Sequence, residues 1–191
     1  MRYDRDHKER TRQKVLDEAA AAIREVGPDR IGVAGLMAEV GLTHGGFYAH
    51  FKSKDALVAE AITEMFEQGY QVFLSSTSDL DSAAGLARFV DGYLSTRHRD
   101  EPDHGCPMPS LSGDVARLPA ASRKRFAAGA TRLTNSIAEL LESLRKPNAR
   151  DLAASIVAEM VGAMALARAV PDPTESARIL ERSRKGIKAR L

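Results

Sequence analysis

Tryptophan is absent, and the rings are limited to 4 tyrosines and 6 phenylalanines, so a catalytic or sugar-binding cleft walled by stacked aromatics is not expected. A single cysteine, Cys106, excludes an intrachain disulfide and suits a reducing compartment. No uninterrupted apolar run approaches the ~20 residues a membrane-crossing helix needs, and the N-terminal stretch MRYDRDHKER has no apolar segment of a secretory signal. The expectation is therefore a cytoplasmic protein with no membrane partner. Neither sign of charge dominates: 28 Lys+Arg stand against 26 Asp+Glu, so any affinity for nucleic acid must come from local placement. Catalytic signatures are missing as well. There is no glycine-rich phosphate loop behind a strand, no H-E-x-x-H and no G-x-S-x-G. The paired acids Asp79/Asp81 and Asp100/Asp103 fall in polar stretches without a general-base context. Neither an enzyme nor a cofactor is expected, and no strand or fixed-period repeat is visible.

What is present is helical periodicity, arranged around residues 33–54, VAGLMAEVGLTHGGFYAHFKSK. Leu36, Met37 and Val40 give a short helix one apolar face. Gly41 follows, where a left-handed residue ends a helix without a Cβ clash. Leu42 plugs the corner, and Thr43 offers a hydroxyl to cap a second helix. Phe47 and Phe51, four apart, bury one side of that helix and leave His44, Gly45, Tyr48 and His50 on the other. Helix, glycine-containing turn, helix is the geometry that sets a second helix in the DNA major groove.

The run GLTHGGFYAHFKSKDAL over 41–57 resembles the signature of the tetracycline-repressor (TetR) family, G-(V/L)-(S/T)-x-G-x-(L/F)-Y-x-(H/Y)-F-x-(S/T)-K-(D/E)-x-L. Upstream, RQKVLDEAA from Arg12 and the pair Val26-Gly27 resemble the family's first helix. The resemblance is specific over the first quarter to third of the chain. It implies an all-α protein: an N-terminal three-helix helix-turn-helix domain over 1–52, then a C-terminal bundle for ligand binding and dimerisation over 53–191. It implies that Val33, Thr43, His44, Gly45, Gly46, Tyr48, His50 and Lys54 lie at or near double-stranded DNA. The physical chemistry agrees. Glycines let backbone approach closely, a phenol suits a phosphate, a lysine at a helix N-terminus adds to a site already attractive to anions, and His44 is best placed for a base edge. Gly32 stands where the family more often has a Ser or Thr cap. The charged N-terminus, with Arg2, Arg5, Lys8, Arg10 and Arg12, reads as a solvated end or as a basic arm touching phosphates.

The rest of the chain reads as a series of helices. The first runs over 7–26 with the stripe Val15, Ala19, Ala22, Ile23, Val26, and Gly27-Pro28-Asp29 ends it. A long helix over 53–74, capped by Ser53, has so wide an apolar stripe that it must be buried on two sides, joining the reading head to the body. Helices over 82–96, from Cys106, from Pro119 to 144, over 149–169 and from 174 onward follow, with HRDEPDHG over 98–105 as a loop. The helix from Pro119 spaces Phe126, Ala130, Leu133, Ile137, Leu140, Leu141 and Leu144 along one face.

Family members are similar in binding small molecules among the C-terminal helices, which weakens DNA binding. The candidate lining is Phe66, Tyr70, Phe73, Phe89, Tyr93, Cys106, Met108, Leu111, Phe126 and Met160, a soft aromatic set suited to a small apolar or aromatic effector. Each alone also reads as plain core. Cys106, at a helix start with His104 two residues before it, has features that favour a thiolate, so an electrophile- or redox-sensing repressor is the alternative. His98, Asp103, His104 and Cys106 lack recognised metal-ligand spacing, and no metal site is expected. Small residues on the eighth and ninth helices, with Ile156, Val157, Met160, Met164 and Leu180, point to a homodimer interface. Reading a palindromic operator requires two such heads.

Overall fold

Two glycines with positive φ, Gly27 at 85° and Gly41 at 74°, make the first two corners of the chain. In the computed structural model, which describes residues 2–191, they separate α1 (Arg2–Val26), α2 (Val33–Glu39) and a 3-10 turn (His44–Ala49). The chain continues with α3 (Lys54–Thr77), α4 (Ser82–Tyr93), α5 (Thr96–Asp100), a 3-10 turn (Pro102–His104), α6 (Pro107–Val115), α7 (Ala120–Ser143), α8 (Ala149–Ala169) and α9 (Pro173–Lys188). No strand occurs among the described residues, and the all-α expectation holds. Met1 and the side chains of Arg2 and Arg5, part of the basic arm, lie outside the described residues. Arg12 of that arm pairs with Glu60 and stacks over the Phe51 ring at 4.8 Å, tying α1 to α3.

Side-chain caps start four of these helices. Ser53 Oγ accepts from Ala56 N at 3.1 Å, Asp81 from Ala84 N at 2.9 Å, Ser95 from His98 N at 3.1 Å and Asp172 from Thr174 N at 2.9 Å. The Ser95 cap explains why part of 98–105 is helical rather than loop: it nucleates α5 in a stretch with no apolar periodicity. α3 also runs three residues past Leu74, with Ser75, Ser76 and Thr77 turning their hydroxyls back onto the carbonyls of Val72 and Phe73. Pro119 sits at the N-cap of α7, one residue before the expected first turn. The second helix of the helix-turn-helix is a 3-10 turn. Thr43 precedes it in extended conformation without capping through its side chain, and the glycine pair disfavours regular α-helix.

The core is continuous. α3 packs on α1 at one end and on α7 and α4 at the other, so the expected double burial is present. Two ends of the expected stripes are instead solvent-facing, Val26 on α1 and Val72 on α3. The 21 residues of α8, interrupted by Arg150, Asp151, Glu159 and Arg168, are long and apolar enough to cross a membrane by length and composition. Here it packs against α7 and α9 and buries Ala153, Ile156, Val157, Met160 and Met164.

Candidate DNA-reading surface and ligand cavity

The head is built on a small core: Val15, Ala19 and Ile23 of α1, Leu36 and Met37 of α2, and Phe47, Phe51 and Leu57 beyond. Phe47 and Phe51 stack with centroids 5.6 Å apart. Anchored by that pair, the 3-10 turn turns Thr43, His44 and Gly45 outward, with Tyr48 66% exposed, resting edge-on against Phe47 at 5.3 Å and His44 at 6.2 Å. A large ring so exposed gains little from the fold that holds it. A Cβ on Gly45 would meet nothing within 4 Å, and on Gly46 only Met37 and Thr43 side-chain atoms at 3.7 Å. Internal packing therefore does not demand either glycine. Val33, Gly46, His50 and Lys54 are half-buried on the flanks. Lys54 Nζ donates to Asp29 O at 3.0 Å, so its ammonium fastens the α1–α2 linker in this conformation. His50 turns a buried, unpartnered Nδ1 inward; burial first, then Lys8 and Arg12, holds its pKa below the ordinary histidine value.

A cavity of about 660 Å³ opens between α3, α4, α7 and the segment 95–107. Of the expected lining, Phe66, Tyr70, Phe89, Tyr93 and Cys106 face it. Phe73, Met108, Leu111 and Met160 do not: each is buried in the core behind the wall. Phe126 is also outside the lining, packed edge-on against Phe66 at 5.4 Å. Hydrophobic spacing marks a buried face but not whether a void lies beyond it. The residues that sequence reasoning missed are polar, among them His98, Arg97, Arg125 and Arg132. Their signal was the spacing of Arg125, Gly129 and Arg132 along one line of α7, which reads equally as a solvated face. Arg132 lies 3.6 Å over the Tyr70 ring and bonds Glu67 at 2.6 Å, pulling that carboxylate below its ordinary pKa.

Behind the cavity, α1 packs on α3, α6 and the 3-10 turn Pro102–His104, and one of its polar side chains enters the body. Arg24, only 5% exposed, donates to Asp103 O at 2.9 Å, Met65 O at 3.3 Å and Gln68 Oε1 at 2.8 Å. Burial lowers its pKa to about 10, partly offset by the nearby Asp103 and Glu64 carboxylates, and its Nε has no partner among the described residues. His98 is fixed at both nitrogens. Nδ1 donates to Tyr93 O at 2.7 Å, while Nε2 accepts from Cys106 N at 3.0 Å, which assigns the neutral tautomer. Gly105 permits this contact, since a Cβ there would come within 2.6 Å of His98 Nε2. Burial, and then Arg168 and Arg24, hold the His98 pKa below its ordinary value. The unfolded chain thus takes up this proton first as pH falls below about 6.5. The contribution of His98 to stability is present above that pH and is lost as pH falls toward the folded value. Urea midpoints followed from pH 7.5 to 5 should decline, and His98→Gln should flatten the decline; an equally steep decline in the variant would remove His98 as its source. Cys106 does not have the expected environment for a thiolate: burial pushes the thiol above its ordinary pKa, and His104 is exposed and turned to Asp103. Among the described residues no group of His, Cys, Asp or Glu is placed to hold a metal ion.

α8 leaves one face to solvent, made of Ala154, Ala158, Gly162, Ala165 and Leu166, the last 59% exposed. The apolar residues expected at a dimer contact, Ile156, Val157, Met160, Met164 and Leu180, instead fill the subunit core. The periodicity located the helix correctly, but the small and the large apolar residues expected together at a dimer contact lie on different faces of it.

Comparison with known proteins fits this geometry. Residues 15–61 match the family model described as bacterial regulatory proteins, tetR family, and 82–182 match that of the tetracyclin repressor-like C-terminal domain. Among solved structures, a TetR transcriptional regulator from Chloroflexus aurantiacus is similar at 25% identity and TM-score 0.82, over 96% of this chain and 95% of that one. NemR of E. coli in its reduced form is similar at 19% identity and TM-score 0.83, over 94% and 95%. A TetR-family regulator from Agrobacterium tumefaciens is similar at 20% identity and TM-score 0.82, over 96% and 98%. No curated protein matches the sequence.

Proposed function

The chain belongs to the tetR family of bacterial regulatory proteins and is a DNA-binding transcriptional regulator; on that premise we propose that it is a homodimeric repressor released from a palindromic operator by a small molecule held in the α3–α4–α7 cavity. Residues 1–52 form the reading head and 53–191 the body. The observation that carries the reading is the shared framework of head and cavity. α3 begins beneath the reading turn and forms a cavity wall with Phe66 and Tyr70, and Arg24 of α1 is hydrogen-bonded to Asp103, beside the cavity-lining His104. A ligand that displaces 101–106 or α3 acts on the seat of the head. It can bias the head only by its difference in affinity for the two arrangements, commonly ~1–3 kcal/mol.

Tyr48 and Lys54 are assigned to phosphates and His44 to a base edge. Footprinting of the DNA upstream of the coding region, followed by titration at several salt concentrations, tests these roles. Tyr48→Phe should weaken binding to every duplex alike by about 0.5–1.5 kcal/mol, and Lys54→Ala should lower the salt slope by about 1. His44→Ala should relax preference at one position per half-site by about 1–3 kcal/mol. If Tyr48→Phe altered sequence preference, or His44→Ala left it unchanged, the assignment would be reversed.

A second reading, a repressor answering electrophiles through Cys106, is favoured by the position of that thiol on the cavity wall. Its raised pKa keeps it protonated, so non-covalent occupancy is the stronger reading. An operator response to an electrophile that persists in Cys106→Ser would dispose of the thiol route.

A further inference from the structure

The cavity has a polar end that packing does not account for. Tyr93 is 6% exposed and lines the cavity; its buried hydroxyl has no oxygen or nitrogen partner among the described residues and meets only the Cys106 thiol, a weak one. Such a hydroxyl has given up its water without a strong replacement, which an acceptor entering the cavity would supply.

The charges around this hydroxyl decide what kind of acceptor suits it. Two guanidiniums stand behind it, and neither forms an ion pair with a carboxylate among the described residues. Arg24 is used on carbonyls and Gln68, with Asp103 and Glu64 close enough to be felt. Arg168 donates to His98 O at 2.7 Å, Arg99 O at 3.2 Å and Ser110 Oγ at 3.0 Å, and the ionisable groups that bear on it are Tyr93 and Cys106. The lining carboxylates are already engaged by arginines of the same wall, Glu67 by Arg132 at 2.6 Å and Glu101 by Arg97 at 3.6 Å. Arg125, also in the wall, bonds Thr63 Oγ1 at 3.1 Å and forms no ion pair among the described residues. The N-terminus of α6 at Cys106 adds partial charge of the same sign. Positive charge is in surplus around this donor, while the lining that adjoins it, beginning with Phe89 at 5.9 Å from Tyr93, is aromatic.

We infer that the cavity selects an anionic amphiphile, an aromatic or long-chain carboxylate or a comparably acidic phenol. Its charged head accepts from the Tyr93 hydroxyl in the field of Arg24 and Arg168, and its apolar body lies along Phe66, Tyr70 and Phe89. A neutral arene would fill the same volume but leave the hydroxyl with the thiol alone. A cationic amphiphile would meet two like charges behind the polar end. This inference rests on the cavity being the effector site and narrows the apolar or aromatic effector that the sequence suggests.

The test is calorimetric titration of the full chain with three molecules of one shape: naphthylacetate, naphthylacetamide and naphthylethylamine. The acid should bind at least about tenfold more tightly than the amide, with the amine weakest. Tyr93→Phe keeps the ring and deletes only the hydroxyl. It should bring the acid to within about threefold of the amide and leave the amide unchanged. An acid that binds no better than the amide on the unaltered chain overturns the anionic assignment while the effector cavity stands. Binding by none of the three overturns the cavity reading and this inference with it. Should Tyr93→Phe fail to fold, the acid-to-amide ratio of the unaltered chain is decisive alone.

Discussion

Gly129→Ala should lower the stability of the chain by about 1–3 kcal/mol, although alanine is the better helix former by roughly 1 kcal/mol. α7 crosses α3 at Gly129, where an added Cβ would overlap the Phe66 ring at its first atom, Cγ. The ring is 8% exposed, braced edge-on by Phe126 at 5.4 Å, and free only on the side where it forms the cavity wall. Relief therefore requires either a wider α3–α7 spacing or a ring pushed into the cavity. Urea unfolding would show a lower midpoint for the variant, and Phe66→Leu in the same chain should recover part of the loss. A midpoint equal to or above that of the unaltered chain would mean that the two helices have room that this packing denies.

Ala158→Glu should have the opposite profile: little effect on the subunit and a large effect on the assembly. Ala158 is exposed on α8 in the small-residue face formed with Ala154, Gly162, Ala165 and Leu166, so a carboxylate there is solvated in a lone subunit and shifts its stability by no more than about 0.5 kcal/mol. Facing its own copy across a close helix contact, the same carboxylate would be desolvated next to its twin, a loss of several kcal/mol. Sedimentation should show a monomer. Operator affinity should fall by about a hundredfold or more, because each half-site must then be bound separately. A variant that remains dimeric with unchanged operator affinity would place the subunit contact elsewhere.

The corners and the buried side of the helix-turn-helix were legible because their determinants are local, although Thr43 does not cap and the second helix is a 3-10 turn. Gly41 takes positive φ at the position where the sequence requires a left-handed end, and Phe47 and Phe51 bury the same side of the turn. Ser53 caps α3 for reasons contained within four residues. The cavity was legible only in part. A helical stripe identifies Phe73, Met108, Leu111 and Met160 as buried but carries no information on which of them border empty space, since that depends on how α3, α4 and α7 splay. The extent of α8 was legible but the orientation of its two faces was not, for a related reason. Both are apolar, one through large side chains and the other through alanine and glycine, so the pattern alone could not say which meets the subunit core. Arg24 was silent in the sequence, where it is one more basic residue near the end of a helix. Its partners Met65, Gln68 and Asp103 lie 41 to 79 positions away.

That arginine bears on how such proteins can be recombined. Grafting a head from another regulator onto this body, a natural route to new operator specificities, would bring an α1 whose residue at this position had never met the 102–104 turn. On the proposed mechanism such a graft would lose its answer to an effector even where it folds and binds its operator, because the hydrogen bonds of Arg24 join residues from both halves. A functional hybrid would have to inherit Arg24 together with its acceptors, so the transferable module is the head plus this buried handclasp rather than the head alone.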